Sequence, residues 1–213
     1  MDLLERSLNI AIVGSGLIGQ AWAIVFARAG LDVTMWDGDA DALAQAKVIV
    51  QQQLQALQAH GLVADASKAL AHVSITASLD EALQTADYVQ ENLPERLDIK
   101  RDIYKTMDDL AKADTILASS TSGIAASAFT ESLPGRHRCL VAHPVNPPYL
   151  IPVVEICGAP WTDDATIKAT RDLMHAVGQK PVTVNQEIEG FVLNRLQGAL
   201  LREAFRLVQQ GIV

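Results

Sequence analysis

The 213-residue chain is 49% hydrophobic and 20% charged, which excludes a disordered polymer and supplies enough apolar side chains for a sizeable core. Its 17 Lys and Arg against 25 Asp and Glu give a formal net charge of -8, and no basic run could track a phosphate backbone, so no nucleic-acid partner is expected. No apolar run approaches the roughly 18 residues that span a bilayer, and Asp2 and Glu5 stand where a signal peptide would be basic, so a cytoplasmic location without membrane attachment is expected.

In chain order, LNIAIVG is a short β-rich apolar run, residues 18–29 have helical spacing, DVTMW is a second strand, and residues 40–60 read as a long helix ending at Gly61. Strand VSIT, a helix near 79–85, strand DYVQE and a helix over 96–111 follow. Strand TILASS, a short helix near Ala125, strand RCLVAH, strand VVEIC, a helix over 163–176 and strand KPVTV complete the alternation. Strands alternating with helices specify an α/β, Rossmann-type doubly wound and mostly parallel sheet covered on both faces. From Gly190 a strongly helical segment, FVLNRLQGALLREAFRLVQQ, carries Phe191, Leu193, Leu196, Leu200, Leu201, Phe205 and Val208. These apolar positions need partners, so either the chain is part of a longer one or another subunit supplies them. Cys139 and Cys157 lie in apolar strand-like segments without C-x-x-C spacing, and are expected to be buried free thiols with no metal between them.

Gly14, Gly16 and Gly19 form G-x-G-x-x-G directly after the first strand and open the first helix. Gly14 permits the tight turn, Gly16 lets backbone approach a pyrophosphate, and Gly19 lets helix and sheet come close. The helix N-terminus favours the anion, which makes Gly14, Gly16, Leu17, Ile18 and Gly19 candidate cofactor-binding residues. Asp37 ends the second strand at roughly the 20-residue distance expected for the acid that holds the adenosine ribose hydroxyls. With Asp39 and Asp41 nearby and no arginine immediately after Asp37, a 2′-phosphate would be repelled, and the cofactor is read as NAD rather than NADP.

In such a sheet the ligand sits beyond the carboxyl ends of the strands, where TILASSTSG, CLVAHP and VVEIC end in polar residues. His143 follows an apolar strand and is fixed by Pro144, and Glu155 lies twelve positions on inside another apolar strand. An unpartnered carboxylate there would be costly. If the intervening proline-rich loop folds back, Glu155 can accept a hydrogen bond from one imidazole nitrogen and leave the other facing the ligand, as a general base requires. The prolines would then rigidify a loop whose ends carry a His–Glu dyad.

Together, the glycine fingerprint, ASSTSG, AHPVNPPYLIPVVEI and EGFVLNRL resemble the L-3-hydroxyacyl-CoA dehydrogenase family, and the loop HPVNPPYLIPVVEI is most similar to its λ-crystallin and L-gulonate 3-dehydrogenase branch. The resemblance runs from about Asn9 to the last residue. It implies a catalytic pair at His143 and Glu155, substrate contacts from Ser122 and Asn194, and Glu95 and Lys100 near the cofactor, with Ser122 close to it as well. It also implies an NAD-binding domain over residues 1–187, with 188–213 as the first helix of an all-helical domain that carries a homodimer interface. From the residues alone, Ser122 could equally cap a helix, Asn194 could lie on the surface, Glu95 and Lys100 could be solvated, and Asn146 could serve as turn residue, substrate contact or both.

Two enzymatic readings fit. One is oxidation of a small polar L-3-hydroxy acid such as L-gulonate; the other is an L-3-hydroxyacyl-CoA dehydrogenase of fatty-acid metabolism. The second needs contacts for CoA phosphates, and Lys47 and Lys68 stand apart among Gln and Ala, which favours the small acid. A third reading, a non-catalytic NAD-binding structural protein, conflicts with the presence together of Ser122, His143, Glu155 and Asn194.

Overall fold

A computed structural model describes residues 8–213; Asp2 and Glu5, on which part of the localisation expectation rests, lie outside the described residues. Eight strands form one sheet: β1 (Asn9–Val13), β2 (Asp32–Trp36), β3 (Val73–Ile75), β4 (Tyr88–Glu91), β5 (Ile116–Ser119), β6 (Cys139–Pro144), β7 (Val153–Gly158) and β8 (Lys180–Val184). Their spatial order is β3-β2-β1-β4-β5-β6-β7-β8, and every neighbouring pair is parallel except β6 with β7. The expected doubly wound, mostly parallel sheet is therefore present.

The helices are α1 (Leu17–Arg28), α2 (Ala40–Ala59), α3 (Ala66–Ala71), α4 (Leu79–Gln84), α5 (Leu97–Leu110), α6 (Ser127–Thr130), α7 (Asp164–Ala176) and α8 (Leu193–Gln209). Along β1 the side chains alternate between two cores: Ile10 and Ile12 pack with α1, α2 and α7, whereas Ala11 and Val13 pack with α5 and α6. The long helix α2 buries Leu43, Ala46, Val50, Leu54 and Leu57 at three- and four-residue spacing. Asp39 starts it by accepting hydrogen bonds from the backbone of Asp41 and Ala42, and Gly61, at φ 71°, ends it. Helix α3 and a short 3-10 turn at Arg136–Arg138 were not expected from the sequence; both are too short to show a periodic signal.

Helix α8 buries no residue, and Leu196, Leu200 and Phe205 are each more than 60% exposed (64%, 72% and 64%). Leu196, Leu200, Leu201, Phe205 and Val208 thus stand exposed without partners among the described residues, as the pattern had suggested; Phe191, grouped with them in the sequence, is instead fully buried against the sheet. No helix among the described residues is long and apolar enough to cross a membrane. Strand order reverses between β1 and β4, which opens a crevice at the carboxyl ends of the strands.

Candidate active site

At the end of β1, Gly14 takes φ 94° and its N–H donates to the Trp36 carbonyl at 2.8 Å. A Cβ here would lie 2.9 Å from the Asn92 carbonyl carbon, so the turn closes only with glycine. A Cβ on Gly19 would come within 2.0 Å of the Gly14 carbonyl oxygen, which is the close helix-to-turn approach expected of the third glycine. Gly16 is different: its Cβ would meet nothing within 4 Å. The space it leaves lies over the N-terminus of α1, which no side chain caps. An open, uncapped helix start of this kind fits the pyrophosphate of a dinucleotide.

Asp37 is drawn onto the same turn. Its Oδ2 accepts from Ser15 N at 2.7 Å and Ser15 Oγ at 2.8 Å, and its Oδ1 accepts from Asp39 N at 3.0 Å. The carboxylate is thus fixed beside the glycine turn with acceptor capacity remaining for ribose hydroxyls. Asp39 is a helix cap.

His143 and Glu155 face each other across the antiparallel β6–β7 pair. His143 Nδ1 lies 2.8 Å from Glu155 Oε2, and the two residues are 6% and 3% exposed. The other Glu155 oxygen accepts from the backbone N–H groups of Val192 at 2.8 Å and Leu193 at 2.9 Å, at the start of α8. Three donors therefore compensate the burial of one carboxylate. A carboxylate accepts only, so Nδ1 carries a hydrogen, and in the neutral imidazole Nε2 keeps its lone pair on a residue that lines the cleft. The Phe191 ring packs on the imidazole at a centroid distance of 5.8 Å, with its backbone held at φ 46°.

The proline loop between the two strands is held from several sides. Arg28 Nη1 donates to the Tyr149 carbonyl at 2.8 Å, Gln179 Nε2 donates to the Pro148 carbonyl at 3.0 Å, and Val145 N donates to the Val153 carbonyl at 2.9 Å. These bonds, with the fixed φ of each proline, return the chain so that Glu155 meets His143.

Lys100, 1% exposed, places Nζ 3.0 and 2.9 Å from the two oxygens of Glu91, a residue the sequence reading had passed over. Burial pushes the Glu91 carboxyl above its ordinary value, against the pull of the Lys100 ammonium and the Ser119 hydroxyl. Lys100 still lines the cleft, but its direct partner is this acid at the end of β4. Glu95 Oε1 accepts from Thr121 Oγ1 at 2.5 Å, Ser122 N at 3.0 Å and Gly123 N at 3.1 Å, which ties the STSG turn to the cleft wall. Thr121, not Ser122, caps that turn by accepting from Ile124 N at 2.9 Å. Ser122 stays exposed on the cleft, and Asn194 Nδ2 donates to its carbonyl at 2.8 Å.

The resulting cleft has a volume of about 350 Å³, and Ile18, Asn92, Glu95, Ser122, His143 and Asn146 are among its lining residues. A larger hollow of about 550 Å³ lies between the end of α1, α3 and the end of α7, and contains none of these groups. The geometry thus brings together His143, Glu155, Ser122, Asn194, Glu95 and Lys100. It adds Glu91, Asn92 and Ser120, which sequence reasoning missed, and Phe191, which it had grouped with the positions awaiting partners; the signal for Glu91 was an acid closing the strand YVQE, all four residues of which are buried.

Lambda-crystallin from Oryctolagus cuniculus is 41% identical over 208 residues, covering 96% of this chain and 65% of the relative. L-carnitine dehydrogenase from Pseudomonas sp is 39% identical over 212 residues, covering 100% of this chain and 65% of the relative. The solved structure of a 5-formyl-3-hydroxy-2-methylpyridine 4-carboxylic acid 5-dehydrogenase, an NAD+-dependent dismutase, superposes with a TM-score of 0.87 at 36% identity, covering 96% of this chain and 66% of that one. The chain spans 65% of the length of the curated relatives it matches here. Residues 9–188, from the first strand past the His143–Glu155 pair, match the model of the 3-hydroxyacyl-CoA dehydrogenase NAD-binding domain, and the chain belongs to that family.

Proposed function

We propose that this chain forms the NAD-binding and proton-transfer half of a dehydrogenase that oxidises the 3-hydroxyl of a small L-3-hydroxy acid. The observation that carries the reading is the 2.8 Å contact between His143 Nδ1 and Glu155 on the wall of a cleft that begins beside the glycine turn. Gly14, Gly16, Leu17, Ile18 and Gly19 would hold the pyrophosphate, and Asp37 the adenosine ribose; Glu95, Lys100 and Ser122 line the path toward His143. Bound there, NAD+ supplies the hydride acceptor. As the carbinol C–H bond breaks, His143 Nε2 takes the hydroxyl proton and Glu155 stabilises the imidazolium. Ser122 and Asn194 hold the oxygen as it becomes a carbonyl. In the reverse direction the imidazolium is the acid.

L-carnitine, the substrate in the name of one relative, is itself a small 3-hydroxy acid, which supports that class over a CoA ester. Lys47 and Lys68 stand apart in the sequence with no lysine between them, which supports the same reading, because CoA phosphates need clustered cations. The 3-hydroxyacyl-CoA reading is supported by the family name and by likeness to the solved (S)-3-hydroxybutyryl-CoA dehydrogenase PaaH1 from Ralstonia eutropha, 30% identical with a TM-score of 0.89. The exposed apolar face of α8 supports a further helical segment or a second subunit packing there, in a homodimer.

The test is NADH formation by the complete protein with L-gulonate, L-carnitine and L-3-hydroxybutyryl-CoA in parallel. Turnover of either small acid with no turnover of the thioester is expected. Turnover of the thioester alone would overturn the substrate class and leave the His143–Glu155 chemistry standing.

A further inference from the structure

Gln90, in β4, is fully buried, and its side chain begins a hydrogen-bond chain whose polarity can be read unambiguously. Its Nε2 sits 3.2 Å from the Ala142 carbonyl, which only accepts, so that atom must be the nitrogen. The second N–H of the same group donates to Ser120 Oγ at 2.7 Å, while Tyr88 Oη donates to the Gln90 amide oxygen at 2.7 Å. Ser120 Oγ also receives the Trp22 indole N–H at 3.0 Å. With both lone pairs occupied, Ser120 has a single proton to give, and it goes to Asn92 at 2.7 Å; the receiving atom is therefore the Asn92 amide oxygen. Asn92 Nδ2 in turn donates to the Gln90 carbonyl at 2.7 Å. Two carbonyls and an indole donor thus fix the orientation of Asn92, and one of its N–H bonds has no acceptor among the described residues.

Asn92 joins the glycine turn to the cleft. Its N–H donates to the Val13 carbonyl at 2.7 Å, its carbonyl carbon is the atom that a Cβ on Gly14 would strike, and the residue lines the cleft with His143. A dinucleotide with its pyrophosphate over Gly16 and its nicotinamide beside His143 carries its second ribose between those points. We propose that Asn92 is a cofactor-binding residue whose free N–H donates to a hydroxyl oxygen of the nicotinamide-side ribose. The proposal rests on the NAD reading above. Because the buried chain holds the donor in one orientation, that hydrogen bond forms with little rotameric cost.

Calorimetric titration of the native chain and of Asn92→Ala with NAD+ and with ADP tests it, since ADP carries the adenosine and pyrophosphate without the second ribose. NAD+ binding is expected to weaken roughly threefold to tenfold, the worth of one hydrogen bond, with ADP binding unchanged. An equal loss for both ligands, or no loss for NAD+, overturns the assignment. Should Asn92→Ala fail to fold, the side-chain amide NMR resonance of Asn92, assigned with Asn92→Ser, decides: a shift with NAD+ but not ADP supports the proposal, and a shift with neither overturns it. Native chain that binds neither ligand overturns the cofactor reading, and the role of Asn92 with it; NAD+ binding indifferent to Asn92 removes only the latter.

Discussion

Glu155 holds His143 with one carboxylate oxygen and the first turn of α8 with the other. One acid therefore sets the tautomer of the proposed base and the position of the helix that brings Asn194 to Ser122. Proton transfer and the docking of α8 share a single anchor.

Glu155→Gln separates what a carboxylate can do here from what an amide can. Glutamine has one accepting end, so its NH2 must face either the imidazole or two backbone N–H donors. Facing the imidazole, it turns Nδ1 into an acceptor and moves the hydrogen to Nε2, where the substrate hydroxyl needs a base. The expected outcome is a fall in kcat of roughly 10²- to 10⁴-fold, with NAD+ affinity unchanged. Steady-state kinetics beside NAD+ titration checks it; wild-type kcat in the variant would remove Glu155 from the mechanism.

The glycines of the turn should respond in opposite ways. Gly19→Ala forces a Cβ within 2.0 Å of the Gly14 carbonyl oxygen, and overpacking of this kind lowers Tm by roughly 2–12 °C. Gly16→Ala meets no protein atom within 4 Å, so Tm should stay within about 2 °C of wild type. It fills the space assigned to the pyrophosphate, however, and NAD+ affinity should fall roughly tenfold or more. Thermal melts with and without NAD+ distinguish the two; a Gly16→Ala chain that binds NAD+ normally would displace the pyrophosphate from this turn.

Asp37→Ala removes the acceptor assigned to the adenosine ribose together with the charge that repels a 2′-phosphate. NAD+ affinity should fall roughly tenfold, while NADP+ affinity holds or rises. Parallel titration with the two dinucleotides measures the ratio. An unchanged preference for NAD+ would place cofactor discrimination elsewhere.

Burial pushes the Cys139 thiol up to about 12 and the Cys157 thiol up to about 11. Unfolded thiols ionise near pH 8.5, below both folded values. Their contribution to stability is thus fully present below about pH 8.5 and is lost as pH rises toward 11 and 12. At pH 8 both should resist iodoacetamide in the native chain and react readily in denaturant, as mass spectrometry would show. Rapid native labelling would contradict their burial.

Much of this was legible in sequence because the signals were local. Each strand is a short run of β-branched or apolar residues, and His143 and Glu155 stood out as lone polar side chains in such runs. Lys100 was marked by resemblance, but its partner Glu91 was not, since their pairing joins a helix to a strand and neither residue reveals the other. Ser122 and Thr121 compete for one capping role, and only the backbone geometry assigns it to Thr121. The positive φ of Phe191 and the packing of its ring on His143 leave no trace in residue type.

The central claim is that His143 transfers the hydroxyl proton and does not merely fill a strand end. It is tested most directly by comparing wild type and His143→Ala in the complete protein, with NADH formation and NAD+ affinity measured on the same samples. The account predicts a loss of roughly 10²- to 10⁴-fold in kcat with NAD+ affinity unchanged. Turnover undiminished in His143→Ala would contradict it.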